Sequence, residues 1–300
     1  MEYILKTENI TKTYSGKNVV DAVNMTIRKG DIYGFIGENG AGKTTLMRMV
    51  VGLAKASKGS IELFESNNLD KGRQRTGCVI ENPALYPNMT AKQNLEAFRL
   101  LMGIEDPKVV DETLKLVGLS DTGKKKVKNF SLGMKQRLSI AIAVLNKPEF
   151  LILDEPINGL DPTGIIEVRD LILKLNKENN MTVMVSSHIL GELSKVATKY
   201  GIIRKGSLVE EFMAEELEEK CKQHIEVEVD DVDKAKAILE NNLNIKEFEV
   251  NDNTIAIFTD LQRIGEINVT LCKNDVVVSK VSFAGKDLET YFIETMGGAR

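Results

Sequence analysis

A glycine-rich segment near the start of the chain has the spacing of a phosphate-binding loop. Residues 37–44 read Gly-Glu-Asn-Gly-Ala-Gly-Lys-Thr, after the apolar run 32–36 and before a helical pattern at 45–50. Glycines let backbone N–H groups surround a phosphate chain, Lys43 supplies positive charge, and the Thr44 hydroxyl can bind Mg²⁺. In this strand, loop and helix context, the spacing predicts an ATP site. The residues expected to contact the nucleotide here are Gly37, Asn39, Gly40, Ala41, Gly42, Lys43, Thr44 and Thr45.

A second segment places two acids at the end of a strand. The apolar run 150–153 is followed by Asp154 and Glu155. Such a run predicts a strand buried on both faces of a parallel sheet, and ligands bind at the carboxyl ends of these strands. We expect Asp154 to hold Mg²⁺ through its water shell. We expect Glu155 to orient or deprotonate the water that attacks ATP.

A third segment begins a helix that continues to about residue 145. Ser131 lies in the position of an N-cap, and Gly133 follows two residues later. The start of a helix favours an anion, because its first amides are unpaired and its dipole is positive there. Ser131 and Gly133 are therefore candidate phosphate contacts.

Together these segments resemble the nucleotide-binding domain of ATP-binding cassette (ABC) transporters. The signature motif of that family has a serine, two glycines and a glutamine where this chain has residues 131–134. Here Leu132 replaces the first glycine and Met134 replaces the glutamine, while Ser131 and Gly133 match. Because the phosphate-facing groups remain, the resemblance still implies ATP binding. The departures bear on how the two halves of a dimer are tuned.

The resemblance implies roles for three further residues. Tyr14 matches the aromatic residue that stacks on adenine, Asp161 lies in the loop that crosses the dimer, and His188 matches the switch histidine at the γ phosphate. A tyrosine among polar residues is otherwise a surface or edge residue, and a lone histidine is commonly structural. For His188, its place at the carboxyl end of the strand at 183–187 favours the functional interpretation.

One position departs from the family pattern in an informative way. After the strand at 77–80, the family places a glutamine that contacts Mg²⁺ and leads towards the membrane subunit, whereas this chain has Glu81. The acid, the following segment to Pro87 and the signature at 131–137 resemble exporters that defend Gram-positive cells against bacitracin or lantibiotics. That resemblance implies a catalytic and metal-binding role for Glu81. The alternative is an exposed loop acid.

Composition limits the kinds of partner. The chain has 300 residues, a formal net charge of −4 and three cysteines. We expect no nucleic-acid partner at this charge, and three cysteines without metal or disulfide spacing fit a reducing cytosol. The sequence has neither a signal-peptide pattern at its start nor an apolar run of roughly 18 residues, the length of a membrane span. Any transport path is therefore expected in a separate protein.

The pattern along the chain predicts an α/β fold with two domains. Residues 1–212 are expected to form the ABC nucleotide-binding domain, a P-loop domain with an antiparallel β subdomain and a helical subdomain at about 88–145. A charged linker helix at 215–220 begins the second domain, 213–300. There the order βαββαβ predicts a small ferredoxin-like α+β fold that ends in a helix at 288–296. Regulation, dimer support and an inert appendage all remain open for this domain.

The resemblance also implies how the parts act. In the family arrangement Lys43 of one subunit meets Ser131 of a second copy, so that two ATP molecules hold a twofold homodimer until hydrolysis. The chain is then expected to be cytoplasmic, peripheral on the inner face of the membrane, and to drive an integral membrane permease. The alternative is a soluble cassette ATPase acting mechanically on a macromolecular partner. A single cassette without long heptads or a basic arm favours transport.

Overall fold

The structure is a computed structural model that describes residues 2–81, 85–188, 190–221, 223–285 and 288–295. For residues 190, 218–220, 288–289 and 293–294 it describes the backbone alone. The chain divides into two compact units. The first runs to Ala214 and includes Thr295, and the second runs from Glu215 to Glu294.

The first unit is built from strands and helices that alternate along most of its length. Its strands are β1 (Tyr3–Tyr14), β2 (Lys17–Arg28), β3 (Ile32–Ile36), β4 (Lys58–Leu63), β5 (Thr76–Val79), β6 (Phe150–Leu153), β7 (Thr182–Ser187), β8 (Lys199–Arg204) and β9 (Ser207–Met213). Its helices are α1 (Lys43–Val51), α2 (Leu69–Gln74), α3 (Ala91–Leu101), α4 (Lys108–Leu116), α5 (Leu132–Val144), α6 (Pro162–Asn179) and α7 (Leu190–Leu193). Short 3-10 turns lie at Ser120–Thr122 and Val127–Asn129.

A six-stranded sheet with the order β5-β6-β7-β3-β8-β9 forms the centre of this unit. Its strands are parallel except for β9, which runs antiparallel to β8. Every residue of β3, β6 and β7 is buried, as expected for strands covered on both faces. Because β6, β7 and β3 are neighbours, the residues that follow them meet at one edge of the sheet.

Two further parts complete the first unit. Strands β2, β1 and β4 form a three-stranded antiparallel sheet, which is the predicted antiparallel subdomain. Helices α3, α4 and α5 lie in the predicted helical region. Helix α3 begins with a capping box, in which Thr90 and Gln93 satisfy each other's backbone amides. Among the described residues, no helix combines the length and the apolar character that a membrane crossing requires.

The second unit has the predicted ferredoxin-like order of elements. They are α8 (Ala214–Lys220) at the junction, β10 (His224–Val229), α9 (Val232–Asn241), β11 (Phe248–Asn251), β12 (Thr254–Ile257), a 3-10 turn at Leu261–Arg263, α10 (Ile264–Lys273), β13 (Val278–Ala284) and α11 (Leu288–Thr295). The sheet order is β11-β12-β10-β13, with all neighbours antiparallel. Its core joins residues of β10, α9, β12 and α10, including Val227, Leu239, Ile255 and Leu271.

The last strand of the second unit begins at Val278, after the buried Val276 and after Asp275, which has a left-handed backbone with φ 55°. The last helix is described to Thr295, and the predicted end at Met296 lies outside the described residues.

Three polar side chains interact within the six-stranded sheet of the first unit. The Tyr33 hydroxyl donates to Glu211 at 2.9 Å, and Lys199 pairs with the other oxygen of Glu211 at 2.9 Å. Burial and the nearby Glu211 carboxylate raise the pKa of Tyr33 well above its ordinary value. The tyrosine therefore stays a neutral hydrogen-bond donor. It lies against Gly201 on β8, where a Cβ atom would overlap the hydroxyl oxygen.

We expect Gly201→Ala to lower the free energy of unfolding by about 1–3 kcal/mol, since the added methyl group forces the buried Tyr33 ring to move. Thermal unfolding followed by circular dichroism measures the effect. Gly191→Ala is the matched control, because nothing lies within 4 Å of the Cβ position at Gly191. Equal melting temperatures for the two variants would show that this contact is not tight.

Candidate functional site

The loop between β3 and α1 is shaped by its glycines. Gly42 has φ 110°, and a Cβ atom there would lie 2.6 Å from the Val19 carbonyl oxygen. A Cβ atom at Gly37 would lie 2.5 Å from the Ile203 carbonyl oxygen. These positions accept only glycine without rearrangement. The loop therefore curls tightly over the end of β3, with its amides available to an anion.

Lys43 is the buried cation of the site. Its side chain is 5% exposed, and Nζ donates to the carbonyl oxygens of Gly37 at 2.5 Å and Glu38 at 3.2 Å. Nζ also lies 3.3 Å from Glu155 Oε1, an ion pair without hydrogen-bond alignment. A buried ammonium group requires charged or strongly polar partners. The arrangement keeps the ammonium group at the mouth of the loop.

A hydrogen-bonded chain joins α1, β6 and β7. Thr44 Oγ1 donates to Asp154 Oδ2 at 2.7 Å, and Ser186 Oγ donates to Asp154 Oδ1 at 2.6 Å. Ser186 Oγ also accepts from the backbone N–H of Glu155 at 2.8 Å. The Asp154 carboxylate is thus held through both of its oxygens, and Ser186 also holds the Glu155 amide.

Glu155 lies between the cation and the histidine. Its Oε2 contacts His188 Nδ1 at 2.7 Å, while Oε1 faces Lys43 and is buried without a hydrogen bond. Its backbone has φ 49°, a left-handed conformation that is uncommon for residues other than glycine. Such strain persists only where the surroundings hold the residue, and it concentrates at functional sites.

These groups suit a magnesium-bound nucleotide. A hydroxyl and a carboxylate are hard oxygen donors, and Mg²⁺ in nucleotide sites uses one or two such ligands together with phosphates and water. Among the residues that the structure describes, no cluster of three or more His, Cys, Asp or Glu side chains could hold a metal by itself. The pair of Thr44 and Asp154 therefore fits a metal that is bound together with a polyphosphate.

The residues of the signature segment lie at the start of α5, in the predicted helical region. Ser131 caps α5 by accepting from the Met134 N–H at 3.2 Å, as predicted. Asp161 caps α6 in the same way through the Gly164 N–H at 3.3 Å. The starts of the two helices are close, since a Cβ atom at Gly133 would lie 3.5 Å from Gly164 Cα. In the described residues, no hydrogen bond joins this pair of caps to Lys43, Thr44 or Asp154.

Tyr14 and Glu81 also lie outside the group of residues connected to Lys43, Asp154 and Glu155. The Tyr14 ring is exposed, with Lys12 Nζ 4.8 Å from its centre. Glu81 forms an ion pair with Arg48 on α1. The segment after Glu81 includes residues 82–84, which lie outside the described residues.

Sequence reasoning missed two residues of this region. Ser186 binds both Asp154 and Glu155, and Arg48 holds Glu81. Ser186 lies two residues before His188 at the end of β7, so its place in the sequence was a usable signal. For Arg48, the signal in the sequence was its spacing of four residues from Thr44, which places both residues on one face of a helix.

Comparison with known proteins identifies the family of this chain. A family model described as ABC transporter matches residues 20–158. The bacitracin transport ATP-binding protein BcrA of Bacillus licheniformis is 43% identical over 302 aligned residues, which cover 99% of each chain. The chain belongs to the ABC transporter family. The lantibiotic transport ATP-binding protein SrtF of Streptococcus pyogenes is also 43% identical, over 69% of this ABC protein and 89% of its own length.

A solved structure agrees with the fold. A dimeric ATP-binding cassette in a post-hydrolysis state, bound to ADP and Pi, matches with a TM-score of 0.64 and 26% identity, covering 70% of this chain and 99% of that chain. The predicted P-loop α/β fold and the resemblance to bacitracin and lantibiotic ATP-binding proteins are confirmed. This ABC protein is an ATPase whose ATP hydrolysis is coupled to transport. Relatives with transport functions do not favour the mechanical, non-transport alternative.

We expect Ser186→Ala to lower kcat/KM for ATP by at least about tenfold. The variant loses hydrogen bonds to a carboxylate and to the Glu155 amide, and bonds to charged groups contribute about 1.5–3 kcal/mol. A phosphate-release assay measures the change, with melting temperature as the check on folding. Ser120→Ala, at an exposed serine of the helical region, is the control. Unchanged kcat/KM in Ser186→Ala would show that the hydroxyl does not position Asp154.

Proposed function

We propose that this chain is the ATP-hydrolysing subunit of a transporter that exports, or gives immunity to, peptide antibiotics of the bacitracin type. The observation that carries the catalytic part is the Glu155 carboxylate, which lies between Lys43 and His188 beside the pair of Thr44 and Asp154. The match to BcrA extends over 99% of this chain and therefore includes the second unit, whereas the match to SrtF covers 69%. This difference favours bacitracin over lantibiotics.

The nucleotide would bind with its phosphates over the glycine loop. Amides of residues 37–45 and the Lys43 ammonium would hold the phosphates, and Tyr14 would stack on adenine. Thr44 and Asp154 would hold Mg²⁺, with Glu81 as a further ligand. When bound, the metal neutralises charge on the phosphates.

Glu155 would act on the attacking water. Its Oε1 is buried without a hydrogen bond, so it can accept one from a water molecule, and then its proton. Lys43 contacts one carboxylate oxygen and His188 contacts the other, which would hold the orientation of the base. His188 would at the same time be placed to contact the γ phosphate.

A second copy of the chain would complete each site. Ser131, Gly133 and Asp161 lie at the starts of α5 and α6 and have no link to Lys43 within one described chain. A head-to-tail dimer would bring them to the nucleotide of the partner. The dimeric form of the related cassette bound to ADP and Pi supports this arrangement.

The movement would be passed to an integral membrane permease, which would place the chain on the inner face of the membrane. In this proposal residues 1–212, with the helical subdomain at 88–145, form the ATPase domain. Residues 213–300 form the second domain, with α8 as the linker. The relatives named as transport ATP-binding proteins support the permease, and the net charge of −4 gives no support to a nucleic-acid partner.

We expect Glu155→Gln to bind ATP, to hydrolyse it at least about a hundredfold more slowly and to accumulate as a dimer. The amide cannot take a proton, while Lys43 remains to bind phosphate. ATP bound only by the closed form would stabilise it by about 2.7 kcal/mol per site at a hundredfold excess over Kd. Gel filtration with Mg²⁺ and ATP measures the dimer. Lys43→Ala is the control that should fail at ATP binding, and a Glu155→Gln protein that stays monomeric contradicts closure around ATP.

We expect the chain and its permease, expressed together in a sensitive host, to raise the inhibitory concentration of bacitracin by at least about fourfold. Because Glu155→Gln is expected to slow ATP hydrolysis at least about a hundredfold, loss of the catalytic base should remove the protection. Glu155→Gln with the same permease is the matched control. Protection against a lantibiotic alone would reassign the substrate, and no protection against either antibiotic would remove the substrate class while leaving the ATPase activity.

A further inference from the structure

Glu81 is held by a cation that belongs to the phosphate-loop helix. Arg48 Nη2 and Glu81 Oε1 form both a hydrogen bond and an ion pair. Arg48 lies four residues after Thr44 on α1, so the two side chains share one face of that helix. The ion pair therefore joins the residue beyond β5 to the helix that presents the metal-binding hydroxyl.

The backbone at Glu81 is also constrained. Its φ is 62°, a left-handed value that is uncommon for residues other than glycine. Glu155 has the same feature, with φ 49°. In both acids the unusual backbone accompanies a carboxylate paired with a cation, Lys43 for Glu155 and Arg48 for Glu81.

The two ion pairs differ in strength. Lys43 is 5% exposed and Glu155 is 19% exposed, whereas Arg48 is 36% and Glu81 is 61% exposed. An exposed pair contributes little, since water and salt screen it. A divalent ion attracts a carboxylate more strongly than a guanidinium group does at the same distance, because its charge is doubled. The Arg48–Glu81 pair can therefore be opened by a metal.

We propose that Arg48 is a positioning residue that competes with Mg²⁺ for the Glu81 carboxylate. This inference rests on the proposed function, in which Glu81 is a metal ligand. Mg²⁺ with ATP draws the carboxylate away from Arg48, and loss of the nucleotide returns it. Binding at the phosphates thereby changes the attachment of Glu81 to α1, at the point where the chain leaves β5.

The charge of Glu81 is essential to this competition. A neutral amide at the same position could still offer an oxygen to a metal, but it could not form an ion pair with Arg48. A carboxylate can bind a metal and can also form an ion pair with Arg48. The substitution of an acid for the family's glutamine thus gives the site a second, metal-free attachment for the same side chain.

The test measures the Mg²⁺ requirement for nucleotide binding rather than for hydrolysis. Binding of a fluorescent ATP analogue is titrated with Mg²⁺ for the unmutated chain, Arg48→Met and Arg48→Lys. Arg48→Met keeps an unbranched but shorter side chain and removes its charge, so it should lower the half-saturating Mg²⁺ concentration by about threefold, within the range of exposed ion pairs. Arg48→Lys should stay close to the unmutated chain. An unchanged Mg²⁺ requirement in Arg48→Met overturns the competition.

A second pair of variants separates competition from general charge. Removing any cation near a metal site strengthens metal binding, whether or not Glu81 takes part. Arg48→Met is therefore repeated in a Glu81→Gln background, where the competition predicts no further shift. An equal shift in both backgrounds overturns the proposal and shows that Arg48 acts on the metal directly.

The outcomes also separate this proposal from the proposed function. If the unmutated chain hydrolyses ATP but Arg48→Met leaves the Mg²⁺ requirement unchanged, the competition alone is wrong. In the Arg48→Met background, where no ion pair remains, Glu81→Ala removes the side-chain oxygens alone; if it leaves the Mg²⁺ requirement unchanged, Glu81 is not a ligand and the competition falls with it. Absence of Mg²⁺-dependent ATP hydrolysis in the unmutated chain would instead overturn the proposed function.

Discussion

The buried ammonium group of Lys43 is the constraint on which the site depends. A charge taken out of water needs partners in fixed positions, and here they are two loop carbonyl oxygens and Glu155. The glycine loop must curl tightly to bring its carbonyls to Nζ, and β6 must end where Glu155 can face it. A triphosphate would add negative charge at the same place. The glycine loop and the end of β6, which hold Lys43 in place, therefore also form a site that can bind an anion.

The order of the strands brings the residues of the candidate site together. Strands β6, β7 and β3 are adjacent and in register, with Leu153 opposite Val185 and Ile36 opposite Ser187. Their carboxyl ends deliver the Asp154–Glu155 pair, His188 and the phosphate loop to one edge. Ser186 fastens two of these ends together, so that motion of β7 would move Asp154 and the Glu155 amide at once. A rigid sheet therefore holds the residues of the site in fixed positions.

The parts of the site that depend on spacing along the chain could be predicted from sequence. The phosphate loop, the Ser131 cap and the order βαββαβ follow from local chemistry and periodicity, and the structure has each of them. The pairs formed across the fold could not. Nothing in the sequence near Glu81 indicates that its carboxylate meets Arg48, 33 residues earlier, rather than facing the metal site.

Exposure divides the site into a fixed part and a part that can change partners. Hydrogen bonds to charged groups contribute about 1.5–3 kcal/mol, so the half-buried Thr44–Asp154–Ser186 chain holds its geometry. Exposed ion pairs contribute about 0.2–1 kcal/mol, comparable to thermal energy, so Glu81 can exchange one cation for another. The caps Ser131 and Asp161 are exposed as well. In the proposed function, such a site would keep Asp154 and Glu155 in place while Glu81, Ser131 and Asp161 respond to the nucleotide and to a second subunit.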